Sequence, residues 1–266
     1  MGWVADGLAI ILPARLQSTR LPRKLLIEVA GRTILEWTWR RACATGAPVW
    51  VATDSAEIAS AAQSFGARVL QTGAQPNGTQ RVAAAAELLD PLPRWVVNLQ
   101  GDEPLIDPLV VARVAERTQA EQGAIVTAAA PMACLEDWLD PGVVKVVCAG
   151  ERALYFSRAP IPSSTAASAR ETFARAREAA LQHVGIYGFS LETLRRYARL
   201  PASPLADIES LEQLRALEAG IPISVVRVSH ASPAVDTPAD LARIEPLLAA
   251  AAGAAKVDPT RGGMRR

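Results

Sequence analysis

Four cations, Arg15, Arg20, Arg23 and Lys24, fall within ten residues directly after the apolar run at 8–12. Cations this close repel one another, and an anion with several charged oxygens can hold them together. At the end of a buried strand a triphosphate is the natural partner. The segment also reads as a basic loop splayed into water. It lacks the G-x-x-x-x-G-K-[ST] pattern of a P-loop. A second cluster, Asn98-Leu99-Gln100-Gly101-Asp102-Glu103-Pro104, runs an apolar strand into a glycine and two carboxylates. Glycine permits a turn or a close backbone approach, and one or two carboxylates beside phosphate oxygens suit Mg2+. The same stretch reads equally as a turn whose acid caps the next helix. The third cluster, Val235-Asp236-Thr237-Pro238, has the form of a helix start with proline in the first turn. Asp236 becomes a metal-ligand candidate only with a partner such as Asp102. His183, Gly185 and Tyr187 alternate, which puts them on one face of a strand with room between two polar side chains, as a sugar-binding floor requires. A lone histidine beside an apolar strand also fits a structural role.

The elements that must position these residues are legible as patterns. Residues 8–12, 49–53, 67–71 and 95–99 are short apolar runs, the mark of strands buried on both faces. Helical spacing covers 33–44, 55–65 and 79–89. This alternation predicts βαβ units, hence an α/β fold with a mainly parallel twisted sheet and helices on both faces. Ligands of such sheets bind beyond the carboxyl ends of the strands, so residues 15–24, Asp54 and 100–103 are the first suspects. Residues 143–147 and 153–156 predict an antiparallel hairpin, 185–189 a strand and 209–219 one helix. The segment 163–177, rich in Ser, Ala and Arg, reads as a mobile surface excursion ending in helix. A disordered tail is expected at 251–266 after a single domain at 1–250.

Composition narrows the function classes. Lys plus Arg number 28 and Asp plus Glu 27, a formal net charge of +1, so no global field favours nucleic acid or a membrane surface. The three cysteines, Cys43, Cys134 and Cys148, are scattered without a C-x-x-C pair. That predicts reduced thiols in a cytoplasmic protein, not a zinc site or a disulfide framework. No stretch approaches the roughly 18 apolar residues of a membrane span. Residues 1–7 contain Asp6 and no basic start, which predicts no signal peptide.

Leu12-Pro13-Ala14-Arg15, Ser18-Thr19-Arg20-Leu21-Pro22 and Lys24 together resemble the signature of the CMP-sugar synthetases. More narrowly, they are similar to the 3-deoxy-manno-octulosonate cytidylyltransferase (CMP-Kdo synthetase) family. The likeness continues through Val51-Ala52-Thr53-Asp54, Gly78-Thr79 with Arg81, residues 98–104, Val144-Lys145-Val146-Val147 and Tyr155-Phe156-Ser157-Arg158-Ala159. It extends to His183, Gly185-Ile186-Tyr187-Gly188, Leu211-Glu212-Gln213-Leu214-Arg215 and Val235-Asp236-Thr237-Pro238, ordered blocks from about residue 8 to 245. The resemblance implies a nucleotide-diphosphosugar-transferase-like fold with a dimerisation or lid subregion at about 125–200. It implies a cytoplasmic homodimer of lipopolysaccharide biosynthesis that transfers CMP from CTP to a sugar acid with Mg2+. It implies that Arg15, Arg20 and Lys24 hold the triphosphate, that Gly78 and Thr79 lie near the base, and that Asp102 and Asp236 hold magnesium. Lys24, Arg15, Asp102 and Asp236 are then the catalytic set. Gln100, Arg158, His183, Tyr187, Glu212 and Gln213 would line the acceptor pocket, with Arg158 facing the acceptor carboxylate. Three departures stand out: Arg23 where the family usually has Gly, Asn77 and Gln80 in the 77–81 loop, and Ala206 where it usually has Glu. The first predicts added bulk and charge beside the phosphates. They leave a different acidic acceptor, an amino-sugar acid or a small phosphonate, as the alternative, beside a non-catalytic nucleotide-binding homologue.

Overall fold

The computed structural model describes residues 7–18, 20–165 and 168–256. Strand β1 (Leu8–Pro13) is buried along its length. Leu8, Ile10 and Leu12 enter one apolar layer, while Ala9 and Ile11 enter the other. Both faces are covered, so the strand carries no polar side. Strands β2 (Glu28–Val29) and β3 (Arg32–Thr33) form a small separate antiparallel pair. Then come α1 (Ile34–Cys43), β4 (Val49–Thr53), α2 (Ala56–Ser64), β5 (Arg68–Gln71), α3 (Gly78–Ala86) and β6 (Trp95–Leu99). Thr33, Ser55 and Asn77 cap the three helices by accepting from the backbone N–H of Glu36, Ile58 and Gln80. Each cap contributes about 1 kcal/mol. Strands β5, β4, β1 and β6 lie side by side and parallel.

The second half comprises α4 (Pro108–Ala120), β7 (Ile125–Pro131), α5 (Leu135–Leu139), β8 (Lys145–Ala149), β9 (Arg152–Ser157) and α6 (Ala169–Ala176). It continues with β10 (Leu181–Ser190), α7 (Leu191–Ala198), α8 (Pro204–Glu209), α9 (Leu214–Glu218), β11 (Ile223–Arg227) and α10 (Pro238–Lys256). Among the described residues nine strands form one sheet, in the order β5-β4-β1-β6-β10-β7-β11-β9-β8. Strand β10 runs antiparallel between β6 and β7, β11 pairs parallel with β7, and the expected hairpin β8–β9 closes the edge. The sheet is thus wholly parallel in its first half and mixed in its second. Helices α1, α4 and α10 contribute to one apolar layer, and α3, α7 and α9 to the other.

Two expectations meet a different structure, and a third is met at its helical end. The helix expected at 209–219 is only α9; α8 has already ended at Glu209, and Ser210, the first residue of the connection, takes the left-handed conformation (φ 52°, ψ 47°). Leu211 N–H then bonds Ala206 O at 3.0 Å and closes α8. The segment expected to end in helix does so: α6 covers Ala169–Ala176, and Phe173 packs on Trp138 with ring centroids 5.8 Å apart. Helix α10 continues to Lys256, beyond the boundary expected at 250; residues 166–167 and 257–266 lie outside the described residues.

At Gly188 strand β10 packs directly against Thr118 of α4. A Cβ there would stand 1.8 Å from Thr118 Oγ1 and 3.0 Å from Thr118 Cβ. Gly188→Ala is expected to destabilise the fold by roughly 1–3 kcal/mol, as overpacking does. Adding Thr118→Ala is expected to recover part of the loss. Thermal melts check this, and an unchanged melting temperature in the single variant would contradict it.

Candidate active site

Strands β1 and β6 are neighbours, so the chain segments leaving their carboxyl ends share one edge of the sheet. Between them lies a cavity of about 270 Å³, lined in part by Arg15, Gln17, Ser18, Arg20, Lys24, Gln75, Asn77, Gly78, Arg81, Gln100, Asp102, Glu212 and Asp236. Gly101 lets the two segments meet: a Cβ there would fall 3.3 Å from Pro13 O and 3.4 Å from the Leu25 methyls. Thr38 Oγ1 donates to the Gly101 carbonyl at 2.9 Å and fixes the turn from α1. Helix α3 presents its N-terminus to the same cavity, an end that favours anions. Arg81 anchors that helix from beneath, bonding Asp54 at 2.9 Å and Thr72 at 2.7 Å.

The charged centre is built from segments far apart in sequence. Val235 N–H donates to Asp102 O at 3.0 Å, which brings Asp236 beside Asp102. Thr237 and Asp240 cap α10 reciprocally, with Asp240 N to Thr237 Oγ1 at 3.2 Å and Thr237 N to Asp240 Oδ2 at 2.9 Å. The Asp236 carboxylate is therefore released from capping. Likewise α4 is capped by Asp107, not by Asp102 or Glu103. Lys24 Nζ lies between the two carboxylates, 2.5 Å from Asp102 Oδ2 and 2.8 Å from Asp236 Oδ1. Burial lowers the pKa of this ammonium, but Asp102 and Asp236 outweigh burial and leave it above the ordinary lysine value, so it stays charged. Arg20 also reaches Asp236, at 2.8 Å. Arg15 lines the cavity with no hydrogen bond or ion pair among the described residues.

Two carboxylates that converge on one cation fit a magnesium site. Mg2+ takes one or two protein carboxylates and completes its shell with water and phosphate oxygens. The described residues hold no group of three or more His, Cys, Asp and Glu that forms a fuller cage. Next to Asp102, Glu103 is buried with Oε2 unpartnered among the described residues. Burial first, and then Asp102 and Asp236, push its carboxyl well above the usual range.

The residues that the resemblance assigns to the acceptor fall at three depths. Gln100 and Glu212 line the cavity. Thr79 does not; it holds Glu212, donating to Oε2 at 3.2 Å. His183 and Tyr187 lie one step behind Gln100 with ring centroids 5.4 Å apart. Between them a Cβ on Gly185 would meet Glu103 Oε1 at 3.3 Å and Gln100 Cγ at 3.7 Å. Gln213 is buried with Nε2 unpartnered among the described residues. The Arg158 guanidinium is engaged with carbonyls, Nε on Glu209 O at 2.9 Å and Nη1 on Pro141 O at 2.8 Å. Glu209, which the sequence did not single out, holds the same turn by accepting from Ser157 Oγ at 2.7 Å and Arg158 N at 2.9 Å. Lys145, fully buried, donates to Arg158 O from the other side.

The model of the cytidylyltransferase family matches residues 9–224. The chain belongs to the cytidylyltransferase family. The 3-deoxy-manno-octulosonate cytidylyltransferase of Leptothrix cholodnii is 45% identical over 246 residues, covering 90% of this chain and 91% of that protein. The protein of the same description from Chlorobium limicola is 41% identical over 251 residues, covering 92% and 98%. A solved structure of CMP:2-keto-3-deoxy-manno-octonic acid synthetase complexed with CTP superposes with a TM-score of 0.82 at 35% identity, covering 92% of this chain and 100% of that one.

The departures from the family pattern turn away from the cavity, Asn77 excepted. Arg23, in the left-handed conformation at φ 57°, directs its guanidinium to Glu57 of α2, so its bulk and charge do not stand beside the phosphates as expected. A left-handed φ is also why glycine suits this position. Gln80 Nε2 bonds Ala198 O at 3.2 Å, and Ala206 is buried in α8. Asn77 lines the cavity and caps α3.

Proposed function

We propose that this cytidylyltransferase transfers CMP from CTP to 3-deoxy-manno-octulosonate and releases pyrophosphate. The observation that carries the reading is the basic loop after β1 facing Asp102 and Asp236 across one cavity. The chain matches relatives named for this acceptor over nine-tenths of its length. That Arg23, Gln80 and Ala206 point away from the cavity supports the sugar acid over an amino-sugar acid or a phosphonate.

In this reading Arg15, Arg20 and Lys24 bind the triphosphate, with Gly78 and Thr79 near the nucleotide base. The acceptor hydroxyl oxygen attacks the α-phosphorus in line and gives up its proton to solvent, the bond from that phosphorus to the bridging oxygen breaks, and pyrophosphate leaves. Lys24 and the arginines neutralise the charge that develops on the leaving group, so positioning and electrostatics do the catalysis. Asp102 and Asp236 would hold Mg2+, which would supply Lewis-acid polarisation of the phosphoryl oxygens and a lower pKa for the attacking hydroxyl. Gln100, His183, Tyr187, Glu212 and Gln213 orient the sugar acid, and Arg158 supports the wall around it. The proposal includes a homodimer formed through the region at 125–200, in which Leu139 and Leu154 are exposed. It also includes a cytoplasmic location, with which the free thiols Cys43, Cys134 and Cys148 agree.

Pyrophosphate release from CTP and Mg2+ tests the reading. Release is expected with 3-deoxy-manno-octulosonate, and none when Mg2+ is withheld. Release only with an amino-sugar acid or a phosphonate would overturn the acceptor. No release with any acid would overturn catalysis. Light scattering at assay concentration tests the dimer.

A further inference from the structure

Strand β10 breaks register against β7 where the acceptor face begins. Val184 pairs with Ala128, but the next pair is Tyr187 with Thr127, so three steps on β10 match one on β7. Gly185 and Ile186 form a bulge, a device that re-aims side chains near functional sites. Ladder bonds are lost there, and one fully buried hydroxyl takes their place. Thr127 Oγ1 lies 2.7 Å from Ile186 O, 3.3 Å from Val184 O and 2.9 Å from His183 Nε2.

A hydroxyl has one proton to give, and a carbonyl can only accept. The shortest contact is to Ile186 O, so the proton goes there, and Thr127 Oγ1 accepts from His183 Nε2–H. Burial holds His183 far below the ordinary histidine pKa, at about 3, so the ring is neutral at pH 7. Phe156 meets the ring edge-on at 5.1 Å and Tyr187 lies tilted against it at 5.4 Å, which fixes its plane. Nδ1 has no hydrogen-bond partner among the described residues.

We propose that Thr127 is a positioning residue: its hydroxyl pins the β10 bulge and locks His183 as the Nε2–H tautomer, leaving Nδ1 as an acceptor for a hydroxyl of the sugar acid. The last step rests on the acceptor reading above; the tautomer lock does not. Sequence gives no hint of it, because an isolated threonine in an apolar strand reads as an ordinary strand former.

The chain has two histidines, His183 and His230, so long-range 1H–15N spectra of the imidazoles are readily assigned with a His230→Gln control. Wild type is expected to show His183 neutral and protonated on Nε2 at pH 7. Thr127→Val is expected to mix the tautomers and to raise KM for 3-deoxy-manno-octulosonate about tenfold, with KM for CTP unchanged. Thr127→Ser is expected to restore both. A wild-type His183 protonated on Nδ1, or a wild-type tautomer retained in Thr127→Val, overturns the lock. If Thr127→Val fails to fold, the wild-type and Thr127→Ser spectra decide. Absence of wild-type activity with this sugar would sink the acceptor reading while the spectra still judge Thr127.

Discussion

Asp102→Asn is expected to lower turnover on the order of 10³-fold, about 4 kcal/mol of transition-state stabilisation, with the fold intact. Asparagine keeps the shape but removes the charge. Lys24 retains Asp236 as partner at 2.8 Å, so no buried cation is left alone. The loss should appear in kcat at saturating CTP and Mg2+, while thermal melts and circular dichroism stay close to wild type. Turnover within tenfold of wild type would refute a metal role for Asp102.

The second large effect is on stability and lies away from the cavity. Lys145 is fully buried, and its ammonium donates to three carbonyls: Asp140 O at 2.8 Å, Val143 O at 2.6 Å and Arg158 O at 2.6 Å. Burial pulls its pKa below the ordinary lysine value, opposed by Asp140. Lys145→Met leaves those carbonyls without a donor, at about 1–3 kcal/mol for each group that stays dry. Removing the buried charge offsets part of this. We expect a net loss of roughly 3 kcal/mol and a melting temperature lower by roughly 6–12 °C. Lys145→Arg should not rescue it, since a planar fork cannot reproduce three bonds converging on one nitrogen. A loss below about 1 kcal/mol would mean that water substitutes for the ammonium at these carbonyls.

The parallel half of the fold was legible because its strands are continuous apolar runs and its helices open on Thr33, Ser55 and Asn77, whose caps have local causes. Strands β7 and β11 were not singled out. The run Ala128-Ala129-Ala130 carries little periodic signal, and its burial comes from neighbours on both sides. The break at Ser210 was illegible too, because serine has no strong local preference for a left-handed φ. Tertiary bonds hold that turn, including Arg158 Nε to Glu209 O. In the cavity, Arg15, Lys24 and Asp102 were found by their position after strands. Asp236 could be suspected only through a partner, and the bond from Val235 to Asp102 is the long-range fact that sequence lacks. Glu209, Lys145 and Thr127 act through buried contacts that no spacing rule encodes.

That bond from Val235 to Asp102 also sets an order of events during synthesis. The ribosome releases β1, β4 and β6 with the basic loop early, but a domain folds as a unit, and α10 supplies Ile244 and Leu248 to the layer that covers β1. Asp236 arrives only after more than 130 further residues have followed Asp102. A nascent or prematurely terminated chain that stops short of it carries the cations without the second carboxylate. Such a chain lacks the paired acidic centre, so competence emerges last, with the docking of α10.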